Sequence, residues 1–263
     1  MKKKNFFVIF ITGDQTRHNY VYQKFSKIFK NSIHIKISKK NKKDKKHSSK
    51  IYKKHMNLIK KMENKILKLE NNVEKNSYFF KRDDKYISKL YSIINNNRPD
   101  VIITYGCPFL EEKIYKLAKK YHLNIHGGLS PWYKGAITNF WPTFLLKPAN
   151  TGFTLHEISM NIDSGNIFFQ TNIKPNINHG IIENNIYALI KFCRIIPNKL
   201  ERMISSNKKY KGIKQKSNGK IWTKNDFSDY LLNIVYKFYN DRINLYVKKN
   251  NIKYKKLKLF NIF

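Results

Sequence analysis

The chain has 263 residues, 41% of them hydrophobic, which suits one large domain, or one domain with an appendage, around a proper core. The formal net charge of +36 comes mostly from Lys, among many Asn, Ile, Tyr and Phe residues. That composition indicates A/T-rich codons rather than a nucleic-acid or membrane partner, and no apolar run is long enough to cross a bilayer.

The first 38 residues predict the β-α-β order of an α/β sheet. Residues 6–12 form a continuous apolar run that ends at Gly13, which is typical of a buried parallel strand. The charged start and this run resemble a signal peptide, but the run is too short and no small-residue cleavage site follows it. A helix over 15–29 and an alternating strand over 32–38 complete the unit.

Residues 39–75 are interpreted as an insertion. Residues 39–50 are rich in Lys and poor in apolar side chains, which predicts a solvated or disordered loop. An electrostatic arm for an anionic substrate is the alternative. Residues 51–73 carry an apolar stripe at helical spacing, which predicts an amphipathic helix that packs on the core or between the subunits of a homodimer.

The rest of the pattern continues the α/β order and ends in a tail. The predicted fold class is α/β, a Rossmann-like, mostly parallel twisted sheet flanked by helices, over residues 1–205. Residues 206–263 predict a small irregular C-terminal extension. Helices are expected over 84–94, 111–120, 139–146 and 180–200, and strands over 101–105, 123–126, 152–158 and 167–171, with 219–227 and 243–247 as candidate strands of the tail.

Two cysteines, Cys107 and Cys193, show neither a disulfide framework nor metal-ligand spacing. They predict a reducing compartment, and we expect a cytoplasmic protein without a metal. Cys107 beside Gly106 has no base at a suitable spacing, so we interpret it as a small buried residue rather than a nucleophile.

Three side chains of complementary chemistry fall near the predicted carboxyl edge of the sheet, where ligands of open α/β sheets bind. Asn124 and His126 are two residues apart on one strand and therefore point to the same face. Asp163 follows in a loop between two later strands. An amide and an imidazole can donate to the oxyanion of acyl transfer to an amine, and the carboxylate can orient the imidazole, favour its protonated form or pass a proton through water.

The surrounding residues resemble the folate-dependent formyltransferase superfamily, which includes the methionyl-tRNA, glycinamide ribonucleotide and sugar N-formyltransferases. The resemblance covers residues 101–170 well and residues 6–37 in topology only. It implies that Asn124, His126 and Asp163 are catalytic and that 10-formyltetrahydrofolate is the formyl donor. The matching residues are Asn124, His126, Leu129, Pro131, Tyr133, Gly135, Thr154, His156, Asp163 and Gly165.

The resemblance also implies two loops that hold the folate. One contains Tyr105, Gly106, Cys107, Pro108, Phe109 and Leu110, and the other contains Ile158, Ser159, Met160, Asn161 and Ile162.

Departures from the family pattern bear on the acceptor. Gly128 and Ser130 replace the usual Ser and second Leu, so the shape of the cleft differs. Residues 12–18 lack the glycine-rich phosphate cradle of the glycinamide ribonucleotide enzymes. The tail is too short for the barrel domain of the methionyl-tRNA enzymes, and residues 128–135 resemble formyltransferases of surface-polysaccharide pathways.

These departures favour a small-molecule acceptor, a nucleotide-linked amino sugar, with Arg17, His18 and Lys134 as candidate contacts to its phosphates. Two alternatives stay open, a methionyl-tRNA formyltransferase and a non-catalytic, basic RNA-binding protein on the same scaffold.

Some of these residues have a second interpretation. Arg17 and His18 are either acceptor contacts or part of the cap of the first helix. His156 lies inside a predicted strand and is interpreted as structural. Trp132 and Trp141 either pack in the core or stack on a substrate ring.

Overall fold

The structure is a computed structural model that describes residues 6–38, 49–70, 76–83, 85–216 and 219–263. The strands are β1 (Val8–Thr12), β2 (Ser32–Ile37), β3 (Ser77–Phe80), β4 (Val101–Tyr105), β5 (Tyr121–His126), β6 (Lys134–Gly135), β7 (Gly152–Glu157), β8 (Ile167–Asn172) and β9 (Ile221–Trp222). The α-helices are α1 (Thr16–Ser26), α2 (Lys50–Ile66), α3 (Tyr86–Asn97), α4 (Glu112–Tyr115), α5 (Phe140–Phe144), α6 (Ile181–Ser205), α7 (Asp229–Asn233) and α8 (Ile243–Lys249).

In the described part of the chain, seven strands form one sheet in the order β3-β2-β1-β4-β5-β7-β8, and β6 and β9 form a separate parallel pair. Strands β1 to β5 are parallel, whereas β7 is antiparallel to both β5 and β8. The predicted mostly parallel α/β sheet is therefore confirmed. The strand order reverses between β1 and β4, so the loops that begin at Gly13 and Gly106 meet at the switch point where such sheets bind ligands.

Both faces of the sheet are buried. Along β1, Val8 and Phe10 belong to one hydrophobic cluster, and Ile9 and Ile11 belong to a second cluster. Helices α1, α5 and α6 cover the first cluster, and α3 and α4 cover the second. Burial on both faces explains why residues 6–12 are continuously apolar rather than alternating.

Helix α2 packs within the chain. Its apolar residues Leu58, Ile59 and Met62 lie against the first cluster, which supports the intramolecular alternative for this stripe. The helix ends at Ile66, earlier than the predicted residue 73, because the chain turns away at Lys68 with a φ of 22°. The Lys-rich residues 39–48 and Val73 lie outside the described residues.

The tail shares the core of the sheet. Apolar side chains from α7, the following π-helical turn and α8 belong to the first cluster. The tail also contacts α2, where Nδ1 of His55 and the hydroxyl of Tyr236 lie 2.6 Å apart. The boundary at residue 205, where α6 ends, stays a prediction, since the residues on its two sides pack into one core.

Two predicted helices differ in extent. The helix expected over 111–120 is only Glu112–Tyr115, because the N–H groups of Lys119 and Lys120 donate to Pro99 and Asp100 on the segment that leads into β4. The helix expected over 84–94 starts at Tyr86 and runs through the three asparagines expected to close it. It ends at Arg98, which takes a left-handed φ of 41°. Asp84 lies outside the described residues.

Three further elements were wrong, partly wrong or missed. Residues 243–247 are helical rather than a strand, and the buried pair Ile243 and Val247 has the i, i+4 spacing of a helix. Only Ile221–Trp222 of the candidate strand over 219–227 is extended. Strand β3 was not predicted, because its large side chains Tyr78 and Phe79 are exposed at the sheet edge and leave no buried alternation. None of the helices in the described ranges has the length and apolar character needed to span a membrane.

Candidate active site

Two neighbouring strands and one loop bring the candidate catalytic residues together. Asn124 and His126 lie at the carboxyl end of β5, and His156 lies opposite Asn124 on β7. Asp163 lies in the loop between β7 and β8. Directly opposed residues of an antiparallel pair share a face, so all four side chains meet on one side of the sheet edge.

The Asp163 carboxylate is at the centre of this cluster. Its Oδ2 lies 3.2 Å from Nδ1 of His126 and accepts a hydrogen bond from the Gly135 N–H at 2.8 Å. Its Oδ1 lies 3.4 Å from Nε2 of His156 and 3.5 Å from Nδ2 of Asn124. Burial opposes ionisation, but the two histidines and the Gly135 N–H outweigh it and hold the pKa of Asp163 well below its usual range. The carboxylate is therefore ionised at neutral pH.

Asn124 is oriented by a hydroxyl from the neighbouring strand. Thr104, which pairs with Asn124 across β4 and β5, donates from Oγ1 to Oδ1 of the amide at 2.7 Å. The amide nitrogen then faces Nε2 of His156 at 3.1 Å. His156 donates from Nδ1 to the carbonyl of Glu157 at 2.7 Å, so Nε2 of a neutral ring accepts from Asn124, and Nε2 of a protonated ring donates to Asp163. The donor end of Asn124 is thus turned toward the cluster.

Both ring nitrogens of His126 face acceptors. Nε2 lies 2.7 Å from the carbonyl oxygen of Tyr133, and Nδ1 lies 3.2 Å from Oδ2 of Asp163. Burial lowers the pKa of His126, although Asp163 opposes that effect. In the neutral ring one of these contacts lacks a proton, whereas a protonated ring donates at both. The site therefore suits a ring that takes up a proton during a reaction.

The two predicted folate loops lie at this edge of the sheet, and each exposes large apolar side chains. Phe109 is 58% exposed, and Met160 and Ile162 are 59% and 53% exposed. Tyr105 and Leu110 are buried and fix the ends of the first loop in the core. Among the other loop residues, Gly106 and Asn161 are exposed, and Gly106 has a φ of 59°. The half-buried loop residues are Cys107, Pro108, Ile158 and Ser159.

The three candidate acceptor contacts differ in their surroundings. Arg17 forms an ion pair with Glu63 of α2 at 2.6 Å, and His18 is buried with its ring edge-on to Tyr105. Lys134 is 5% exposed and donates from Nζ to Oγ of Ser164, beside Asp163, at 3.4 Å. Lys134 is therefore the candidate that lies against the catalytic cluster. Contact with an acceptor stays a prediction for all three residues.

Burial raises the pKa of the Cys107 thiol to about 12, so the thiol is protonated at neutral pH. This supports a packing role for Cys107 rather than a nucleophilic one.

Of the two tryptophans, Trp132 stacks on Phe260 and Trp141 stacks on Trp222. Among the described residues, no group of three or more His, Cys, Asp and Glu side chains is arranged to hold a metal ion.

Two residues of the cluster, Thr104 and Gln215, were not identified from the sequence, and a third, His156, was interpreted as structural. Thr104 is detectable only through the register of β4 against β5. His156 was interpreted as structural, yet it contacts both Asn124 and Asp163. Gln215 comes from the tail and donates to the carbonyl of Asp163 at 2.9 Å, a contact that no local pattern signals.

Comparison with known proteins identifies the family. The family model described as formyl transferase matches residues 5–192. The bifunctional polymyxin resistance protein ArnA of Wigglesworthia glossinidia brevipalpis is 34% identical over 125 residues, which cover 47% of this chain and 18% of that protein. A methionyl-tRNA formyltransferase of Mycoplasmopsis pulmonis is 36% identical over 98 residues, which cover 36% of this chain and 33% of that protein. The matched segments thus span a third or less of these relatives' own length.

A solved structure shares the fold. It is a formyltransferase from Anoxybacillus kamchatkensis in complex with UDP-4,6-dideoxy-4-formamido-L-AltNAc and tetrahydrofolate. Its TM-score is 0.52 at 18% sequence identity, and the match covers 90% of this chain and 96% of that chain. The family model covers most of the chain and includes the whole Asn124, His126 and Asp163 cluster, so the chain belongs to the formyl transferase family.

Proposed function

We propose that this protein is an N-formyltransferase that moves a formyl group from 10-formyltetrahydrofolate to the primary amine of a nucleotide-linked amino sugar, in surface polysaccharide synthesis. The observation that carries the proposal is the ionised Asp163 held against Asn124 and His126 at the carboxyl edge of the sheet. This combination of an amide donor, an imidazole and a carboxylate is what acyl transfer to an amine requires.

The residues of the two flanking loops fit a folate. Phe109, Met160 and Ile162 expose apolar surface next to a polar cluster, and such a combination is typical of small-molecule sites. When bound, the folate supplies a formyl group activated by its ring-linked nitrogen. The loop residues would hold its flat ring system and exclude water from the reacting atoms.

Asn124 stabilises the charge that develops in the reaction. As the acceptor nitrogen bonds to the formyl carbon, negative charge builds on the formyl oxygen. The Asn124 amide, aimed by Thr104, donates to that oxygen. One such preorganised donor lowers the barrier by about 3 kcal/mol.

His126 accepts the proton that the amine loses, and Asp163 stabilises the protonated ring. The neutral ring of His126 accepts the proton, and the product imidazolium donates to both Asp163 and the Tyr133 carbonyl. The ring then returns the proton to the leaving nitrogen of the donor, so no net charge stays on the protein. His156 contacts Oδ1 of Asp163, the oxygen that does not face His126. This contact holds the carboxylate in place while the proton moves to and from the His126 ring.

Several observations bear on the acceptor. The solved structure that shares the fold holds a UDP-linked formamido sugar, which supports a sugar nucleotide here. Lys134 is a buried cation beside the cluster with only a hydroxyl, that of Ser164, as its described hydrogen-bond partner, so it is suited to a phosphate. Arg17 is already paired with Glu63 through Nη1, which offsets the positive charge that it would present to a phosphate.

Replacement of Asn124 or His126 tests the proposal. We expect His126→Ala and Asn124→Ala to lower kcat by a factor of about 100 or more, since each removes a preorganised group. The assay incubates a panel of nucleotide-linked amino sugars with 10-formyltetrahydrofolate and detects the mass shift of the product. His179→Ala is the matched control, because His179 stacks on Tyr187 outside the cluster and its loss should leave the rate unchanged. Full activity in either site variant would refute the mechanism.

A second candidate is a methionyl-tRNA formyltransferase, which the relative from Mycoplasmopsis pulmonis supports. The same preparation is therefore assayed with charged initiator tRNA as the acceptor. Formylation of the tRNA and of no sugar nucleotide would favour this candidate. Tight RNA binding without folate binding would instead favour a non-catalytic RNA-binding protein.

We further propose a cytoplasmic location, which the free cysteines Cys107 and Cys193 support. A homodimer stays a prediction, and its test is the mass of the protein in solution.

A further inference from the structure

One segment of the tail crosses both loops of the candidate site. We name its two described parts, residues 212–216 and 219–222, the strap. Its first part pairs with the strand that follows Asp163, where Ile213 and Ile167 exchange two backbone hydrogen bonds of 2.7 and 2.8 Å. Its last part, Ile221–Trp222, pairs with Lys134–Gly135. The strap therefore joins the two loops that meet at the catalytic carboxylate.

Gln215 is the strap residue that contacts the Asp163 turn. Its Nε2 donates to the carbonyl of Asp163 at 2.9 Å and to the carbonyl of Gly165 at 2.7 Å. Its Oε1 is buried and has no hydrogen-bond partner within the described ranges. The two donated bonds are thus the contacts through which this amide acts on the turn.

The turn needs such support because of its backbone. Asp163 has a φ of 46°, in the left-handed region that residues with a Cβ adopt at a cost. That conformation directs the carboxylate toward His126 rather than toward solvent. A pair of hydrogen bonds to the carbonyls at both ends of the turn favours this conformation over the extended alternatives.

The strap also supports the second contact of the carboxylate. The Gly135 N–H donates to Oδ2 of Asp163, and the next N–H along the chain, of Ala136, donates to the carbonyl of Trp222 at 2.7 Å. Gly135 has a φ of 95°, and a Cβ there would overlap the Trp222 carbonyl. The strap thus fixes the backbone of Asp163 from one side and the donor to its side chain from the other.

We propose that Gln215 is a positioning residue of the active site, whose amide holds the turn at Asp163 so that the carboxylate faces His126. The role in catalysis rests on the proposed formyl transfer, whereas the role in positioning does not.

The test compares Gln215→Met with the wild-type chain. Met keeps the length and approximate volume of Gln and removes both donated bonds. Lys214→Met is the matched control, since the adjacent Lys214 is exposed. For each full-length protein, kcat and KM are measured, the ring signals of His126 are titrated by NMR, and Tm is recorded.

We expect Gln215→Met to lower kcat about tenfold, with KM for both substrates changed less than about twofold, because the substrates still bind but the carboxylate is displaced. The His126 pKa should fall, since a nearby carboxylate favours the charged ring. Lys214→Met should match the wild type in both measurements. His156, which also faces His126, is unchanged in both variants.

A merely structural role predicts a lower Tm with kcat and the His126 titration unchanged in the folded protein, and that result would overturn the proposal. If Gln215→Met does not fold, Gln215→Asn is measured instead, because its shorter amide does not reach both carbonyls. An unchanged rate and titration in that variant would overturn the proposal as well. If the wild-type chain transfers no formyl group, the proposed function fails, but the His126 titration still decides whether Gln215 positions Asp163.

Discussion

Thr104 determines which end of the Asn124 amide faces the reacting atoms. An unconstrained Asn amide can present either its oxygen or its nitrogen, and only the nitrogen can donate to an oxyanion. The hydrogen bond from the Thr104 hydroxyl to Oδ1 selects the productive orientation. The hydroxyl thus acts on the chemistry without contact with the substrate.

We expect Thr104→Val to lower kcat roughly tenfold at unchanged fold, because the isosteric side chain no longer selects the amide orientation. Steady-state formyl transfer measures the effect, and circular dichroism checks the fold. Thr171→Val is the control, because the Thr171 hydroxyl is buried without a hydrogen-bond partner in the described part of the chain. Equal rates for Thr104→Val and the wild type would show that Asn124 is oriented by other groups.

Sequence reasoning reached the residues whose geometry is local. Asn124 and His126 share a face because a strand alternates its side chains, and this holds in any fold that contains the strand. The partners of these residues depend on contacts between segments. Register sets Thr104 and His156 opposite Asn124, and neither the register nor the return of Gln215 is encoded near any of them.

At the scale of elements, the contact between α2 and the tail gives stability a pH dependence. His55 of α2 is buried against Tyr236 and Phe227, and burial lowers its pKa from 6.5 to about 4. Between these values the unfolded chain binds the proton and the folded chain does not. The contribution of His55 to stability is therefore fully present above pH 6.5 and is lost as the pH falls toward 4.

We expect the Tm of the wild-type chain to fall more steeply between pH 7 and pH 4 than the Tm of His55→Gln, since Gln keeps a polar contact with Tyr236 but does not titrate. His34 is also buried, with a pKa lowered to about 3, but it is present in both proteins and cancels in the comparison. His179→Gln is the control. Parallel Tm profiles for the wild type and His55→Gln would contradict the burial argument.

Helices and strands were predictable from the sequence where a single apolar pattern determined them. The buried strands and α6 follow from long apolar periodicity, since tertiary contacts agree with the local preference. Helix α4 was overestimated because backbone hydrogen bonds to residues 99 and 100 replace its last turns. Strand β3 has no fully buried residue and pairs with β2 at the sheet edge, so only the assembled sheet reveals it.

At the scale of the whole molecule, the net charge of +36 and the proposed acceptor predict binding with different salt dependence. Nonspecific polyanion binding depends on many phosphate contacts and therefore falls steeply with salt. A sugar nucleotide carries only a few charges, so its binding depends on salt far less. Salt thus separates the binding that the net charge causes from the binding that the site provides.

We expect kcat/KM for a nucleotide-linked amino sugar to fall less than about tenfold between about 50 and about 200 mM salt, while RNA binding to the same protein falls by about a thousandfold or more. Formyl-transfer kinetics and filter binding measure the two effects. A parallel loss of activity and RNA binding would indicate an acceptor with many phosphates, such as tRNA.

The packing of His18 limits which substitutions the sequence can accept at Gly13 and Gly106. A Cβ at Gly13 would lie 2.5 Å from Cε1 of His18, and a Cβ at Gly106 would overlap the same ring. Neither glycine can acquire a side chain while the ring is there, whereas a smaller residue at 18 leaves the Gly106 carbonyl, at 3.1 Å, as the close neighbour of a Cβ at Gly13. Substitutions at these positions are therefore epistatic, and their order matters. Among descendants of this chain, a change at Gly13 should follow a change at His18 and not precede it.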